Sequence, residues 1–270
     1  MGSKLKIREE AKKLNPIDDI MFRKMAENKD FCQEILRVIL SEPRLKVLEV
    51  AVQWSGTNLQ GRSVILDAKC TLGDGREVNI EVQKADDDNH QKRVRYNGAI
   101  LTTNIADPGI SFENVPDVCI IFISKFDVFG DRFPLYHVDR IVRETGKTVN
   151  NGFSEVYVNT KIKDNSEISE LMEVFVSDNA YSNKFPITSG IKRQYKETEG
   201  GLQTMCEIME KIREEGKEEG KKEGRAEAAS QINKLHSILL KSKRFDDLER
   251  STSDPQYQEQ LFAELLSGND

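Results

Sequence analysis

The sequence predicts an α/β protein in which a mixed sheet is flanked by helices and followed by an all-α C-terminal extension. Three observations carry this reading. An amphipathic helical stretch precedes three short β-rich runs at 47–54, 63–72 and 77–85. A second helical pattern separates these from DVCIIFISKF at 117–126, an almost continuously apolar run of the kind that forms a strand covered on both faces. From about residue 200 the chain changes to strong helix formers laced with charge.

The elements follow in order. In DDIMFRKMAENKDFCQEILRVIL, residues 18–40, Met21, Met25, Phe31, Ile35, Val38 and Ile39 recur at three- and four-residue steps, as in an amphipathic helix or helix pair. VLEVAVQW, SVILDAKCTL and EVNIEVQKA read as strands. In DDDNHQKRVRYNGAILTTN the aspartates supply N-cap and first-turn residues for a helix running to about Thr103. FSEVYVN at 153–159 is a further strand, and this order fits a sheet sandwiched between helices. The domains read as 1–195 for the α/β core and 196–270 for the helical extension. In that extension Gly216, Gly220 and Gly224 fall on one helix face, each weakening the helix by about 1 kcal/mol relative to alanine. A solvated charged helix and a close-approach face for a partner helix are both open readings. DDLERSTSDPQYQEQLFAELL would add one or two short helices.

Composition narrows the function classes. With 46 acidic and 40 basic residues, a polyanionic partner would have to meet local basic patches. Cys32, Cys70, Cys119 and Cys206 are far apart, mostly in apolar runs, and read as reduced core thiols of a cytoplasmic protein. No run approaches the roughly 18 apolar residues of a membrane span, and no secretory apolar segment leads the sequence. His90, His137 and His236 lack a neighbouring nucleophile motif, which speaks against a serine or cysteine hydrolase. No helix-turn-helix or zinc spacing stands out.

The chemistry concentrates in LDAKCTLGDGREVNIEVQKAD, residues 66–86, where an acid lies on each side of a glycine turn. A two-residue Asp74-Gly75 turn would set Asp67 against Val82 and mix apolar with polar faces. A three-residue loop, Gly73 to Gly75, instead places Leu66, Ala68, Cys70 and Leu72 on one face with Val78, Ile80 and Val82. The other face then carries Asp67, Lys69, Thr71, Asn79, Glu81 and Gln83, with Asp67 directly opposite Glu81. Facing carboxylates about 5 Å apart repel unless a cation lies between them, and Mg²⁺ typically takes one or two such ligands. A plain polar outer face, with Lys69 neutralising either acid, is the alternative.

An acid ending one strand, Glu-x-Gln on its antiparallel neighbour, then a helix, resembles the PD-(D/E)XK nuclease superfamily. More narrowly, the chain resembles its recombination-promoting nuclease/putative transposase branch. The matching stretches are NPIDDIMFRKM, LDAKC, NIEVQKAD, QKRVRYNGAIL, DVCIIFI and the glutamate-glycine-lysine repeat, from about residue 15 to 225.

The resemblance implies a restriction-endonuclease-like core and a Mg²⁺-dependent DNA endonuclease, with Mn²⁺ as a substitute ion. Asp67 and Glu81 match the metal-binding acids, helped by the Val82 carbonyl, and Asp19 matches an acid on the first helix. Asp18 leaves that last match uncertain by one position, and N-terminal capping is the other role open to it. Gln83 stands where much of the superfamily has lysine; a glutamine orients by hydrogen bonds and brings no charge, so Lys69 is the candidate substitute cation. Arg93 and Tyr96 match basic and aromatic positions of the following helix, and Arg95, Arg23 and Lys24 would extend a phosphate track. A surface cation and a packing ring are the alternatives for Arg93 and Tyr96. A homo-oligomer is expected because double-strand cleavage commonly needs two sites. The rival class is a catalytically weak or inactive nuclease-fold protein that binds DNA or assembles.

Overall fold

The computed structural model describes residues 2–58 and 61–266. Helices α1 (Gly2–Lys12), α2 (Asp19–Ala26) and α3 (Lys29–Ile39) open the chain. The long amphipathic stretch is therefore a helix pair, broken where the Asn28 side chain accepts the amides of Asp30 and Phe31 as an N-cap. Strands β1 (Val47–Gly56), β2 (Val64–Leu72) and β3 (Glu77–Gln83) follow, then α4 (His90–Ile105) and β4 (Val118–Ser124). Next come β5 (Leu135–Val138), a small hairpin of β6 (Ile141–Val142) and β7 (Lys147–Thr148), β8 (Phe153–Asn159), α5 (Glu167–Val176) and α6 (Pro186–Glu197). The short β5, β6 and β7 and the helices α5 and α6 were not among the sequence expectations.

The main sheet has the order β1-β2-β3-β4-β8-β5, with β3, β4 and β8 parallel and the remaining pairs antiparallel. Alternation along the strands feeds two cores. On one face Ala68, Cys70, Val78, Ile80, Ile121 and Val158 pack with apolar residues of α2, α3 and α5. On the other, Ile120, Phe122 and Tyr157 pack beneath Val94 and Leu101 of α4. The β4 run is thus buried on both faces along its whole length, as its composition predicts. Helix α4, which crosses between parallel β3 and β4, lies close to the sheet at Gly98, where an added Cβ would fall 2.3 Å from the Phe153 ring.

One expectation changes, and one of the open alternatives is removed. Leu66 shares a face with Ala68 by alternation, yet it packs in the α4 core together with Val64. Backbone pairing of β2 with β3 ends at Ala68, while β1 and β2 continue paired to Gly56 and Val64. A two-stranded ribbon twists more than a broad sheet, which turns this end toward α4; an added Cβ on Gly56 would meet Ile100 at 2.6 Å. The polar face of the β2–β3 hairpin is also not solvated: Glu77, Asn79 and Glu81 are all buried.

The chain divides into two compact units, the first running to Met209 and the second from Glu210. Helix α7 (Glu199–Lys241) begins in the first unit, where Leu202 and Met205 are buried. In the second unit Leu235 and Leu239 of α7 cluster with Leu261, drawing together α8 (Phe245–Ser253) and α9 (Pro255–Leu265). Between these clusters residues 211–231 are exposed, and nothing lies within 4 Å of a Cβ added at Gly216, Gly220 or Gly224. The glycine face is solvated in this chain. No helix among the described residues is long and apolar enough to cross a membrane.

Candidate active site

The β2–β3 turn decides which acids meet. Leu72 N–H donates to the Arg76 carbonyl at 2.9 Å, so the loop is Gly73 to Gly75, and Gly75 takes φ +90°, a conformation open to glycine. The ladder pairs Thr71 with Glu77, Cys70 with Val78, Lys69 with Asn79 and Ala68 with Ile80. One step further on this register sets Asp67 against Glu81. There the strands part, and the Val82 amide donates to Asp67 Oδ2 at 3.2 Å instead of to a β2 carbonyl. The Gln83 carbonyl accepts from Lys125 N–H on the β4 side at 2.9 Å. Successive carbonyls of a strand point to opposite edges, so that of Val82 faces Asp67.

Asp19 joins this pair from the first turn of α2. Its Oδ1 lies 2.6 Å from Arg23 Nε, which also donates to Asp67 Oδ1 at 3.2 Å. Burial and the Asp67 charge, with Arg23 opposing, push the Asp19 carboxyl up to about 6. Asp18 is spent elsewhere: its oxygens take Lys84 Nζ at 2.6 Å and the Asn15 amide at 2.8 Å. Of the two aspartates, Asp19 is the one that lies beside Asp67 through Arg23.

Glu81 is held from two sides. Its Oε1 accepts from Asn79 Nδ2 at 2.9 Å and Asn97 Nδ2 at 3.1 Å, and its Oε2 lies 3.5 Å from Arg93 Nη2. Burial first and Asp67 second push its carboxyl up to about 7, against the pull of Asn79 and Arg93. Sequence reading placed Asn79 on the right face without giving it a role and missed Asn97. The spacing of Asn97 four residues after Arg93, hence on the same helical face, was the available signal.

Two expected site residues are differently engaged. Lys69 is not brought to the paired acids: its Nζ lies 2.8 Å from Glu77 Oε2, in a group completed by Thr71. Gln83 is at the site, but both ends of its amide are used. Its Oε1 accepts from Arg93 Nη2 at 2.9 Å, while Nε2 donates to the Ala85 carbonyl at 2.9 Å and to Asp87 Oδ1 at 3.3 Å. Arg93 is thus the cation beside Glu81, held by the residue that replaces the usual lysine.

Asp19, Asp67, Glu81, Gln83, Arg93 and Asn97 line an open cleft of about 820 Å³ between α4 and the β1–β2 connection. Arg95 and Tyr96 line it, together with Arg62 and Lys92, neither of which the sequence singled out as an individual contact. Lys24 does not line it; its ammonium pairs with Glu27 at 2.5 Å.

The donor set suits a hard divalent cation. Asp67, Glu81 and the Val82 carbonyl offer oxygen alone, and burial first, with the Asp67 charge second, raises the Asp19 and Glu81 carboxyls, a penalty that a cation among them would relieve. Among the described residues no three His, Cys, Asp or Glu side chains are arranged to hold a metal between them. A two-carboxylate site in an open cleft fits an ion that keeps several waters.

No curated protein and no solved structure matches the chain. The sequence profile of the PD-(D/E)XK nuclease family transposases, a family of nuclease-type hydrolases, matches residues 16–238. The mixed six-stranded sheet flanked by helices is consistent with the fold of this family, and the chain belongs to it.

Proposed function

We propose that this protein is a Mg²⁺-dependent endonuclease that hydrolyses DNA phosphodiester bonds in recombination or mobile-element biology, acting in the cytoplasm. The observation that carries the reading is the meeting of Asp67 and Glu81 where β2 and β3 part, facing a cleft whose other wall is basic. Asp67, Glu81 and the Val82 carbonyl would hold Mg²⁺ or, in its place, Mn²⁺. A divalent ion so placed polarises a phosphate oxygen and lowers the pKa of its bound water.

The chain's own residues do the rest. Asn79 and Asn97 hold Glu81 Oε1, which fixes the carboxylate's orientation before any ligand arrives. Asp19, tied to Asp67 through Arg23, adds a third carboxylate at the cleft floor. Arg93 supplies positive charge beside Glu81 and would stabilise charge developing on the phosphate. Gln83 acts through Arg93, anchoring its guanidinium.

One observation favours a second reading, a slow or inactive nuclease fold that binds DNA. Lys69 is committed to Glu77 and the Gln83 amide to its neighbours, so neither is free to activate water. Plasmid cleavage with Mg²⁺ and with Mn²⁺, beside Asp67→Ala and Glu81→Ala, separates the two. The endonuclease reading expects cleavage that both substitutions abolish. Cleavage that persists in both variants refutes the site, and a wild type inert with either ion but still binding DNA supports the second reading. A homo-oligomer able to cut both strands would show as linear product formed without an accumulating nicked intermediate.

A further inference from the structure

Helix α4 offers the cleft two adjacent ridges. Arg93 and Asn97, four residues apart, reach Gln83 and Glu81. Lys92 and Arg95, three apart, lie on the neighbouring ridge and are exposed to the cleft. Arg62, on the connection between β1 and β2, lines the same cleft and is also exposed. Unlike Arg23 and Arg93, the side chains of Arg62, Lys92 and Arg95 have no ion-pair partner among the described residues. In a chain of net charge −6, three unpaired cations around one cleft mark charge sorted toward an anion.

The connection that carries Arg62 is fastened to α4. Tyr96 Oη donates to the Arg62 carbonyl at 2.5 Å and accepts from Asn58 Nδ2 at 3.1 Å. Two turns later Asn104 exchanges a reciprocal pair of bonds with the Thr57 backbone, each 3.1 Å. Tyr96 is therefore no free ring waiting for a base; its hydroxyl ties the Arg62 segment to the helix that bears Lys92 and Arg95.

We propose that Arg62, Lys92 and Arg95 form a second phosphate subsite, which holds backbone phosphates flanking the scissile one on a DNA strand, and that Tyr96 is a positioning residue that sets Arg62 in it. This deepens, and rests on, the nuclease reading above. Each cation that meets a phosphate of a single strand contributes about 0.7 to the slope of log affinity against log salt.

The test is fluorescence anisotropy of a labelled single-stranded oligodeoxynucleotide with the full chain, with Ca²⁺ replacing Mg²⁺, across a salt series. Arg62→Ala, Lys92→Ala and Arg95→Ala should each reduce the slope by about 0.7, and Lys217→Ala on exposed α7 should leave it as in the wild type. Tyr96→Phe should weaken binding, and combining it with Arg62→Ala should add nothing to Arg62→Ala alone. Slopes unchanged in the three cleft variants, or additive losses in the Tyr96–Arg62 pair, overturn the subsite while leaving the nuclease reading intact. A wild type with no salt-dependent affinity for the oligonucleotide refutes both.

Discussion

The Val82 amide donates at 3.2 Å to the carboxylate of Asp67, the residue next to Ala68, where backbone pairing of β2 with β3 ends. A side chain has taken over a ladder bond at the point where two strands part. This places an acid at the strand end without leaving a buried amide unpaired. The twist that separates the strands opens the cleft, and the same departure frees the Asp67 carboxylate to face Glu81 and Asp19. Site geometry and strand divergence are thus one structural event.

That relationship separates the charge of Asp67 from its hydrogen bond. Asp67→Asn keeps an acceptor for Val82 and relieves repulsion with Asp19 and Glu81, so the metal-free protein should unfold at or above the wild-type midpoint while Mg²⁺-dependent cleavage is lost. Asp67→Ala leaves the amide unpaired and should be less stable than Asp67→Asn by about 1–3 kcal/mol. Urea denaturation checks the order; equal midpoints for the two variants would remove the structural role of the bond.

Stability without metal should fall as pH rises. Burial and Asp67 raise Glu81 to about 7 from 4.5, and burial and Asp67 raise Asp19 to about 6 from 3.8. Between the ordinary and raised values the native state keeps protons that the unfolded chain has released. The stabilisation from these protonated acids is complete below the unfolded values and is lost as pH passes through about 6 and then 7. In EDTA the urea midpoint should therefore drop across this interval, by on the order of a few kcal/mol in stability. Glu81→Gln should flatten the profile most, and a wild-type midpoint that rises over the same interval contradicts the assignment. Metal binding needs the deprotonated acids, so Mg²⁺ affinity should rise through the same window.

Lys192 is fully buried, and its Nζ donates to the carbonyls of Val174 at 2.8 Å, Ser177 at 2.5 Å and Ala180 at 3.2 Å. These lie at and beyond the C-terminal end of α5, where carbonyls lack helical partners and a cation is favoured. Lys192→Met keeps the apolar stem but leaves the three acceptors without their donor, at about 1–3 kcal/mol for each left unpaired. Denaturation should show a loss of several kcal/mol with the m-value unchanged; a loss below about 1 kcal/mol means that other donors or water replace the ammonium.

The β2–β3 register was legible because apolar alternation and the Gly73-Asp74-Gly75 loop agree on it. What pairs with Lys69 was not. Lys69 faces Asn79, so Glu77 and Glu81 are both its diagonal neighbours, and the pattern cannot choose between them. The choice is made by α4, which brings Arg93 and Asn97 onto Glu81 and leaves Glu77 to Lys69. Asp18 and Asp19 differ likewise only once α2 is docked on β2. Asn97, Arg62 and the commitment of Gln83 all depend on contacts across long stretches of chain, which periodicity does not encode.

The pairing of Gln83 with Arg93 leads to a charge-swap experiment. On the proposed nuclease reading Arg93 would supply the cation that lysine supplies at the Glu-x-Lys position, with Gln83 Oε1 as the acceptor that holds it. Arg93→Ala should lower cleavage by about 10²–10³-fold, the usual cost of removing one donor aimed at developing negative charge. Gln83→Lys alone restores the usual residue of the superfamily but removes that acceptor and sets two cations against each other, so activity should fall rather than rise. Gln83→Lys combined with Arg93→Gln again places one cation and one amide beside Glu81, and it should cleave better than either single substitution. Steady-state kinetics with Mg²⁺ checks this. A Gln83→Lys variant more active than the wild type would show that Arg93 is not the cation of the site, and a double variant no better than the singles would show that the two positions do not exchange roles.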